Sequence, residues 1–375
     1  MSDDIVGSNK APDEKRRCTA KEHSENLKNL VDKATEGGKK HVKVALFTHN
    51  CPDPDALGSM MGMAHLLYKT WGIESDLFYA GEISHPQNNA INNLLDPQLK
   101  RAKEEYKAES YALHILCDTI PSNAGTADHK IEFDVVIDHH KELPNGGFSG
   151  LVIHMKTGSC CAIVYKLMEC LCKPAVFEDD NDNDSKIATA MIAGIVTDTE
   201  YMVSDDSTEL EFDAFSKMFP FRHSNFLKQI VFFKKPKFWI DVKATASTEA
   251  VVDDEGYAIV GLGLIPEKQR DLIADMAEEM VTWASVETAI AFAVVGGERI
   301  EGSVRSLNAS ISVSEFCKKL GSRHGVGGGK MGKGAYRYSL AGMSIDPDED
   351  EETKRKTWDL IKEKETKRIS RMIKK

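Results

Sequence analysis

One imidazole and two carboxylates stand close together in the segment HNCPDPDALGS, which begins at His49. An apolar run over residues 42–47 precedes the segment and predicts a buried strand, and the run over residues 60–67 that follows predicts a helix. His49, Asp53 and Asp55 are therefore expected at the carboxyl end of a parallel strand, where open α/β sheets bind ligands. Because nitrogen and oxygen ligands at this spacing repel one another unless a cation neutralises them, the segment predicts a metal site.

Acidic residues or histidines end three further apolar runs. Asp118 follows a predicted strand over residues 111–117, and the triplet DHH at residues 138–140 follows a predicted strand over residues 133–137. Asp198 ends a helix-like run. A single acid in such a place usually caps a helix or forms a turn. Four such groups that can reach one edge of a sheet indicate a shared site instead.

The alternation of strand and helix patterns indicates the fold class that positions these residues. Over residues 41–231 it predicts an α/β domain with a doubly wound, mostly parallel sheet, which we interpret as the metal-binding catalytic domain. Residues 240–345 are expected to form a second, smaller α/β domain that binds substrate. Its patterns predict strands over residues 257–265 and 288–295 and a helix over residues 267–283.

Polar segments flank the two domains and interrupt the first. Residues 1–40 form a polar N-terminal segment, in which residues 1–19 are expected to be disordered and a helix is predicted over residues 20–35. The acidic run at residues 179–184 lacks the central glycine and final glutamate of a calcium loop, so we expect a solvated loop. Residues 353–375 carry ten Lys or Arg against three Asp or Glu. They predict a solvated basic helix, with docking on the protein or contact with a polyanion as alternatives.

Length and composition limit the classes of protein. The chain has 375 residues, of which 41% are hydrophobic, which is enough for two domains with real cores. Its net charge of −11 argues against a broad surface that coats nucleic acid. The eight cysteines form no CxxC pair and stand mostly in apolar runs, which indicates reduced, buried thiols. No apolar run approaches the roughly 18 residues of a membrane span, and no hydrophobic leader is present, so we expect a soluble, cytoplasmic protein without a membrane partner.

The candidate ligands predict a binuclear metal centre. Mixed imidazole and carboxylate ligation favours Mn²⁺ over Mg²⁺, which prefers oxygen ligands and retained waters. Two such ions can deprotonate a bound water and neutralise phosphate oxygens. His140 can hydrogen-bond a phosphate oxygen or protonate a leaving group, and Asp138 can orient an imidazole. The candidates divide into His49 and Asp53 for one ion, Asp55, His139 and Asp198 for the other, and Asp118 between them.

The four motifs resemble those of the DHH phosphoesterase superfamily. They are the segment HxxPDxDALGS that begins at His49, then Asp118, the triplet that begins at Asp138, and Asp198, in the order and spacing of that family. The resemblance covers about residues 41–204. It implies two Mn²⁺ ions and a metal-activated hydroxide that hydrolyses a phosphoester or a phosphoanhydride. It also sharpens the division of ligands given above, with Asp118 as the bridging ligand and His140, Asp118 and Asp138 as catalytic residues.

The second half of the chain resembles the C-terminal domain associated with DHH domains, of the type found in nanoRNases and 3′-phosphoadenosine-5′-phosphate phosphatases. Arg305 follows a strand pattern, and a glycine cluster over residues 325–329 follows about twenty residues later. Alone, such a cluster is more often a flexible loop, but its amides can hold a phosphate that an arginine also grips. The usual histidine after the glycines is replaced by Lys330. The substrate-binding residues implied are Arg305, Ser306, Gly327, Gly328, Gly329, Lys330 and His324.

These observations together predict a Mn²⁺-dependent phosphoesterase with its site in a cleft between two domains. We expect it to release nucleoside monophosphates from very short oligonucleotides, or to dephosphorylate a nucleoside bisphosphate. Alternatives are a phosphodiesterase for cyclic or linear dinucleotides, a polyphosphate or pyrophosphate hydrolase, and a non-catalytic nucleotide-binding protein. The pyrophosphatase branch is disfavoured because its basic Ser-Arg-Lys-Lys-Gln-type signature is missing near the end of the sequence. A homodimer is compatible with the sequence.

Overall fold

The computed structural model divides into two compact units, with the boundary between Lys234 and Lys235. The residues that the structure describes are 12–35, 42–126, 128–144, 147–321, 325–330, 332–346 and 348–373, with the side chains of the first range from Ala20 onward. None of the helices within these ranges has an apolar stretch of bilayer length.

The first unit is an α/β domain in which helices alternate with strands. Over the described residues its elements are α1 (Pro12–Thr35), β1 (Lys43–Phe47), α2 (Pro54–Trp71), β2 (Glu74–Tyr79), α3 (Pro86–Leu95), β3 (Leu99–Arg101), α4 (Ala102–Glu105), β4 (Leu113–Cys117), β5 (Val135–Asp138), β6 (Leu151–His154), α5 (Cys160–Leu171), α6 (Asp182–Asp198), α7 (Glu209–Met218) and α8 (Ser224–Val231). The described strands form one parallel sheet in the order β3-β2-β1-β4-β5-β6. This confirms the predicted doubly wound α/β fold.

Local sequence explains why the first strand and helix form where the site needs them. Residues 44–47 of β1 are fully buried apolar side chains, as expected for a parallel strand inside a sheet. Asp53 caps α2, because its side chain accepts a hydrogen bond of 2.9 Å from the backbone N–H of Ala56, and Pro54 fits the first helical position. The helix ends at Gly72, whose φ of 68° is a left-handed conformation that glycine adopts without strain.

The sheet reverses its strand order between β1 and β4, and the site residues gather at this switch point. His49 follows β1, Asp118 follows β4, and Asp138 ends β5. Because Cys117 pairs with Ile137 in register, the residues that come next in the chain, Asp118 and Asp138, lie at the same height on the sheet edge. The topology therefore brings three of the four motifs to one place.

Two predictions for the first unit are wrong. The helix α1 begins at Pro12, within the segment 1–19 that was expected to be disordered. Proline fits the first turn of a helix, and the charged residues that follow are good helix formers. The acidic run at residues 179–184 is not a solvated loop, because α6 begins within it. Asp184 is only 2% exposed and accepts a hydrogen bond of 2.8 Å from the backbone N–H of Glu178, so it serves the fold.

The second unit is built around a mixed sheet. Over the described residues its elements are α9 (Lys237–Glu249), β7 (Val251–Val252), β8 (Tyr257–Ile265), α10 (Leu272–Met280), β9 (Thr288–Val295), β10 (Arg299–Ser306), α11 (Val313–Gly321), β11 (Gly325–Lys330), β12 (Lys333–Ser339) and α12 (Glu351–Ile373). The strand order is β11-β12-β10-β9-β8-β7, in which β8 and β9 are parallel and the other neighbours antiparallel. This confirms a second α/β domain.

The strands predicted over residues 257–265 and 288–295 are confirmed as β8 and β9. The helix predicted over residues 267–283 is shorter, because only α10 is a regular α-helix and a 3₁₀ turn, Glu267–Gln269, precedes it. Residues 267–271 read EKQRD and offer no apolar side chain that could hold another helical turn against the sheet.

The glycine-dense segment forms an edge strand, β11, rather than a loop. A Cβ atom on Gly327 would lie 2.0 Å from the carbonyl oxygen of Cys317 in α11. The glycine therefore lets the backbone of a helix approach the strand closely. Composition predicted a loop because glycine is rare in strands, and this packing overrides that preference.

The basic C-terminal helix α12 docks on the second unit, so the prediction of a solvated helix is wrong. Ile361 and Ile369 are buried in the core of this unit. Glu365, which lies between them on the same face of the helix, is 3% exposed and accepts hydrogen bonds of 2.9 and 2.6 Å from the hydroxyl groups of Tyr336 and Tyr338. The spacing of four residues gives one buried stripe and leaves most of the basic residues on the outer faces.

Candidate metal centre

The loop after β1 contributes most of the first ligand cluster, which consists of His49, Asp53 and Asp118. The Nε2 atom of His49 lies 3.7 Å from Oδ2 of Asp53 and 3.8 Å from Oδ2 of Asp118. The side chains of His49 and Asp53 are 24% and 47% exposed. Local hydrogen bonds help to orient them, since Nδ1 of His49 donates to the carbonyl of Asn50 and Asp53 caps its own helix.

The second ligand cluster consists of Asp55, His139 and Asp198 and is more deeply buried. The Nε2 atom of His139 lies 3.2 Å from Oδ2 of Asp198 and 3.9 Å from Oδ2 of Asp55. The side chains of His139 and Asp55 are 6% and 1% exposed. Three elements meet here, because Asp55 lies in the first turn of α2, His139 follows β5, and Asp198 ends α6.

Asp118 faces both clusters. Its Oδ1 atom lies 3.4 Å from Nε2 of His139, and its Oδ2 atom lies 3.8 Å from Nε2 of His49. Its φ of 60° is a left-handed conformation that costs a residue with a Cβ about 1–2 kcal/mol. The surrounding structure compensates this cost, in part through a 2.8 Å hydrogen bond from the backbone N–H of Asp118 to the carbonyl of Ile137. The result is the position that a bridging ligand requires.

Asp138 organises the DHH triplet. Its Oδ1 atom accepts hydrogen bonds from the backbone N–H groups of His139 and His140, at 2.8 and 3.3 Å, and from Nδ1 of His140, at 2.8 Å. Burial raises the pKa of Asp138, but the hydrogen bond and charge of His140 outweigh it and hold the pKa below its ordinary value. The side chain of His140 is 43% exposed. Its Nε2 atom is therefore the part of the triplet best placed to meet a substrate.

The segment from Thr157 to Cys161, which leads into α5, supports the second ligand cluster. Nδ1 of His139 donates a 3.1 Å hydrogen bond to the carbonyl of Thr157, which leaves Nε2 for the cluster. The backbone N–H groups of Cys160 and Cys161 donate to Oδ2 and Oδ1 of Asp55, at 2.6 and 3.0 Å. The first turn of α5 thus binds both oxygens of one ligand, as a helix N-terminus binds an anion.

The electrostatics of both clusters call for positive charge. Burial lowers the pKa of His139, but interactions with Asp118, Asp198 and Asp55 outweigh it and raise the pKa to about 12. Burial also lowers the pKa of His49, and interactions with Asp53 and Asp118 raise it to about 10. In contrast, burial and the negative charge of Asp118 raise the pKa of Asp55. In the absence of a metal the carboxylates therefore hold protons on the imidazoles.

The donor set fits divalent cations. Oδ1 of Asp118 and Nε2 of His139 are buried and make no hydrogen bond to any part of the chain that the structure describes. The two atoms lie 3.4 Å apart, as an ion pair rather than a hydrogen bond. A cation between these atoms would satisfy both, and mixed imidazole and carboxylate donors suit a divalent transition metal.

The substrate residues predicted in the second unit lie on β10 and β11, and two are engaged within the unit. The guanidinium of Arg305 donates to Oε1 of Glu278 at 2.9 Å and to Oγ of Ser303 at 2.8 Å. The hydroxyl group of Ser306 is hydrogen-bonded to that of Thr288 at 2.8 Å. The other candidates are Gly327, Gly328, Gly329 and Lys330, which lie in β11, and His324, which lies outside the described residues.

A cavity of about 360 Å³ opens beside β11 in the second unit. Gly327 and Gly328 line it, together with the side chains of Arg270, Arg337 and Glu301. Its volume is in the range of small-molecule sites, which begins at about 300 Å³. Two of the predicted substrate residues thus lie at a cavity of small-molecule size, in which Arg270 is ion-paired with Glu301.

The sequence analysis missed the residues that support the second cluster. The carbonyl of Thr157 and the amides of Cys160 and Cys161 act through the backbone, so their side-chain types carry no signal. Glu211 accepts hydrogen bonds from the same segment, and the pattern Thr208-x-x-Glu211 identifies a helix start but not that contact.

Two ligand clusters that both face Asp118, at the switch point of a parallel sheet, form a candidate binuclear metal centre. Residues 43–195 match the model of the DHH family, N-terminal domain.

Several curated proteins are similar to this chain. The chain is 26% identical over 286 residues to an uncharacterized protein of Methanocaldococcus jannaschii, over 75% of this chain and 55% of that protein. It is 25% identical over 159 residues to probable manganese-dependent inorganic pyrophosphatases of Streptococcus agalactiae, over 42% of this chain and 48% of each of them. The chain thus spans about half the length of these curated relatives.

Among solved structures, that of an exopolyphosphatase-related protein from Bacteroides fragilis is similar, with a TM-score of 0.58 and 13% identity over 93% of this chain and 98% of that one. At this identity the likeness shows the fold alone.

Proposed function

We propose that this protein is a metal-dependent phosphohydrolase that releases nucleoside monophosphates from very short oligonucleotides or dephosphorylates a nucleoside bisphosphate. The observation that carries the proposal is the pair of ligand clusters that share Asp118 at the open edge of the sheet. The mixed donors favour two Mn²⁺ ions over Mg²⁺. When bound, such ions neutralise phosphate oxygens and lower the pKa of a water molecule.

His140 is the residue that we assign to the substrate. Asp138 holds its Nδ1 atom, which fixes the ring with Nε2 toward solvent. From there Nε2 can donate a hydrogen bond to a phosphate oxygen and, when protonated, pass its proton to the leaving oxygen. Asp138 acts as a positioning residue that keeps the ring in this orientation.

The choice of a nucleotide substrate draws support from the second unit. Its cavity has the size of a small-molecule site, and Arg337 could contact a phosphate there, whereas Arg270 is ion-paired with Glu301. A net charge of −11 also favours small substrates over long nucleic acid.

Hydrolysis of a phosphoanhydride is the second candidate. The names of the Streptococcus agalactiae relatives, probable manganese-dependent inorganic pyrophosphatases, favour it. The same pair of clusters would serve, since both reactions transfer a phosphoryl group to water.

A panel of substrates separates the two candidates. The Mn²⁺-loaded protein would be tested on di- to pentaribonucleotides, 3′-phosphoadenosine-5′-phosphate, a cyclic dinucleotide, pyrophosphate and polyphosphate, with product analysis by chromatography. We expect turnover of the short ribonucleotides or the bisphosphate. Turnover of pyrophosphate or polyphosphate alone would establish the second candidate.

The Asp118→Ala variant is the control for both candidate activities, hydrolysis of phosphoesters and hydrolysis of phosphoanhydrides. If hydrolysis persists in that variant, the activity does not come from this metal centre. If wild-type protein binds Mn²⁺ and a nucleotide but hydrolyses none of these substrates, a non-catalytic nucleotide-binding role replaces the proposal.

A further inference from the structure

The second ligand cluster depends on a residue that lies outside every motif. We infer that Glu211 is a positioning residue for the metal centre, because it fixes the segment 157–161 that orients both His139 and Asp55. The inference rests on the proposed metal centre and deepens it, since it explains how the second cluster is held ready for its ion.

Glu211 is a fully buried carboxylate on α7. Its Oε1 atom accepts hydrogen bonds from the hydroxyl of Thr157 and, at 3.0 Å, from the backbone N–H of Gly158. Its Oε2 atom accepts from the backbone N–H and the hydroxyl of Thr208, at 2.7 and 2.8 Å. Among the described residues no basic side chain forms an ion pair with it. Four donors therefore stabilise its charge, and two of them belong to the segment that leads into α5.

The segment passes this constraint to two metal ligands. Thr157 contacts Glu211 through its hydroxyl and His139 through its carbonyl, so one residue links the carboxylate to the ligand. Gly158, which donates to Glu211, lies only two residues before the Cys160 amide that donates to Asp55. A shift of this segment would therefore displace both ligands together.

The segment has little freedom on its other side. A Cβ atom on Gly158 would lie 2.9 Å from Cγ2 of Thr199, the residue that follows the ligand Asp198. The segment is thus packed against the end of α6 and anchored to Glu211 on α7. Fixed donors of this kind are what a metal centre needs to bind its ion without rearrangement.

A simpler role for Glu211 is that of a helix cap. It occupies the third position of α7 and completes a capping box with Thr208. That role accounts for the hydrogen bonds at Oε2 but not for those at Oε1, which reach residues more than fifty positions earlier in the chain. A helix cap and a positioning residue for the metal centre predict different effects on metal binding.

Calorimetric titration of the full-length, metal-free protein with Mn²⁺ separates them. The His49→Ala variant removes a ligand of the first cluster only and keeps the Asp53 cap of α2, so the remaining strong binding reports on the second cluster. Adding Glu211→Gln to this variant is expected to weaken that binding by about 10- to 100-fold, the usual effect of removing a group that orients metal ligands. The manganese resonance spectrum of the bound ion should broaden as its ligand geometry becomes variable.

Glutamine keeps the size of glutamate and suits a capping box, but its amide has one acceptor oxygen and can serve only one of the two donor pairs. Glu209→Gln is the matched control, because it removes the same charge from an exposed residue in the same turn of α7. We expect it to leave the Mn²⁺ affinity unchanged.

Equal Mn²⁺ affinity of the Glu211→Gln and Glu209→Gln variants, both in the His49→Ala protein, would overturn the inference and leave Glu211 as a cap. Should Glu211→Gln fail to fold by circular dichroism, Thr157→Val decides, because it removes the hydroxyl but keeps the carbonyl that accepts from His139. Weaker binding in Thr157→Val supports the inference, and unchanged binding overturns it. Failure of the wild-type protein to bind Mn²⁺ would instead overturn the proposed function, and the inference with it.

Discussion

The two ligand clusters of the metal centre share Asp118 but are built in opposite ways. In the first cluster, His49 and Asp53 come from one surface loop, are partly exposed, and are oriented by their own backbone neighbours. In the second, Asp55 and His139 come from different elements, are almost fully buried, and are held by a segment that is distant in the sequence.

This difference predicts different roles for the two positions. Buried donors that are fixed in advance bind an ion without paying for its ligands to become ordered, so the second cluster should hold its ion more tightly. The first cluster has room for solvent and for a substrate oxygen. We expect its ion to exchange more readily.

The largest effect should follow from replacing the residue that the clusters share. Asp118→Asn keeps the shape of the side chain but removes its charge and one of its two acceptor oxygens, so both Mn²⁺ ions should bind more weakly. We expect turnover to fall by at least about 10³-fold, which corresponds to the several kcal/mol that metal ions contribute to phosphoryl transfer. Calorimetric titration with Mn²⁺ and single-turnover kinetics measure the two effects.

Asp53→Asn is the control for this variant, because it changes a ligand of the first cluster only. It should weaken the binding of one Mn²⁺ ion and leave the affinity for the other unchanged. If Asp118→Asn also weakened the binding of only one ion, Asp118 would not bridge the clusters.

In the metal-free protein, the loss of unfolding free energy should differ between variants of His139 and His49. His139→Ala leaves the buried Asp55 and Asp118 facing Asp198 with no positive charge between them, and breaking a buried pair of this kind costs about 3–5 kcal/mol. His49→Ala should cost less, because one of its two partners, Asp53, is half-exposed and solvent screens that pair. Urea unfolding followed by tryptophan fluorescence measures the free energy of unfolding of both variants. Equal losses would mean that burial does not distinguish the clusters.

The same contrast explains what the sequence could predict. Side-chain type and position after apolar runs identified His49, Asp118 and His139, because parallel strands place their carboxyl ends together. The strand over residues 288–295 could be predicted to the residue, since its apolar run is long and uninterrupted.

Contacts that depend on close approach or on the backbone could not be predicted. Gly327 looked like part of a loop, and only the packing of α11 shows why glycine stands in a strand. Glu365 looked like one more charge on a solvated helix, and its burial is explained by two tyrosine hydroxyls and the guanidinium of Arg368, all of which donate to it. Glu211 supports the metal centre through the main chain of Gly158, which no side-chain pattern encodes.

Only the metal-free protein should show a strong dependence of its stability on pH. In that state the pKa of His49 is raised to about 10 and that of His139 to about 12, against an ordinary value of 6.5. A histidine whose pKa is raised by folding contributes stability that is fully present below its unfolded pKa and is lost as the pH rises through its folded pKa. The metal-free protein should therefore lose stability steadily from about pH 6.5 to pH 10.

Metal binding must displace these protons, because a metal ion and a proton compete for the same nitrogen. Uptake of Mn²⁺ should therefore release protons at pH 7, which titration in buffers of different ionisation enthalpy detects. Thermal unfolding of the Mn²⁺-saturated protein should then be nearly independent of pH between 7 and 9. If the metal-free and Mn²⁺-saturated proteins lost stability in parallel over this range, the protons would be bound outside the two clusters. A smaller proton release in His49→Ala than in wild-type protein would locate one of the protons in the first cluster and complete the comparison.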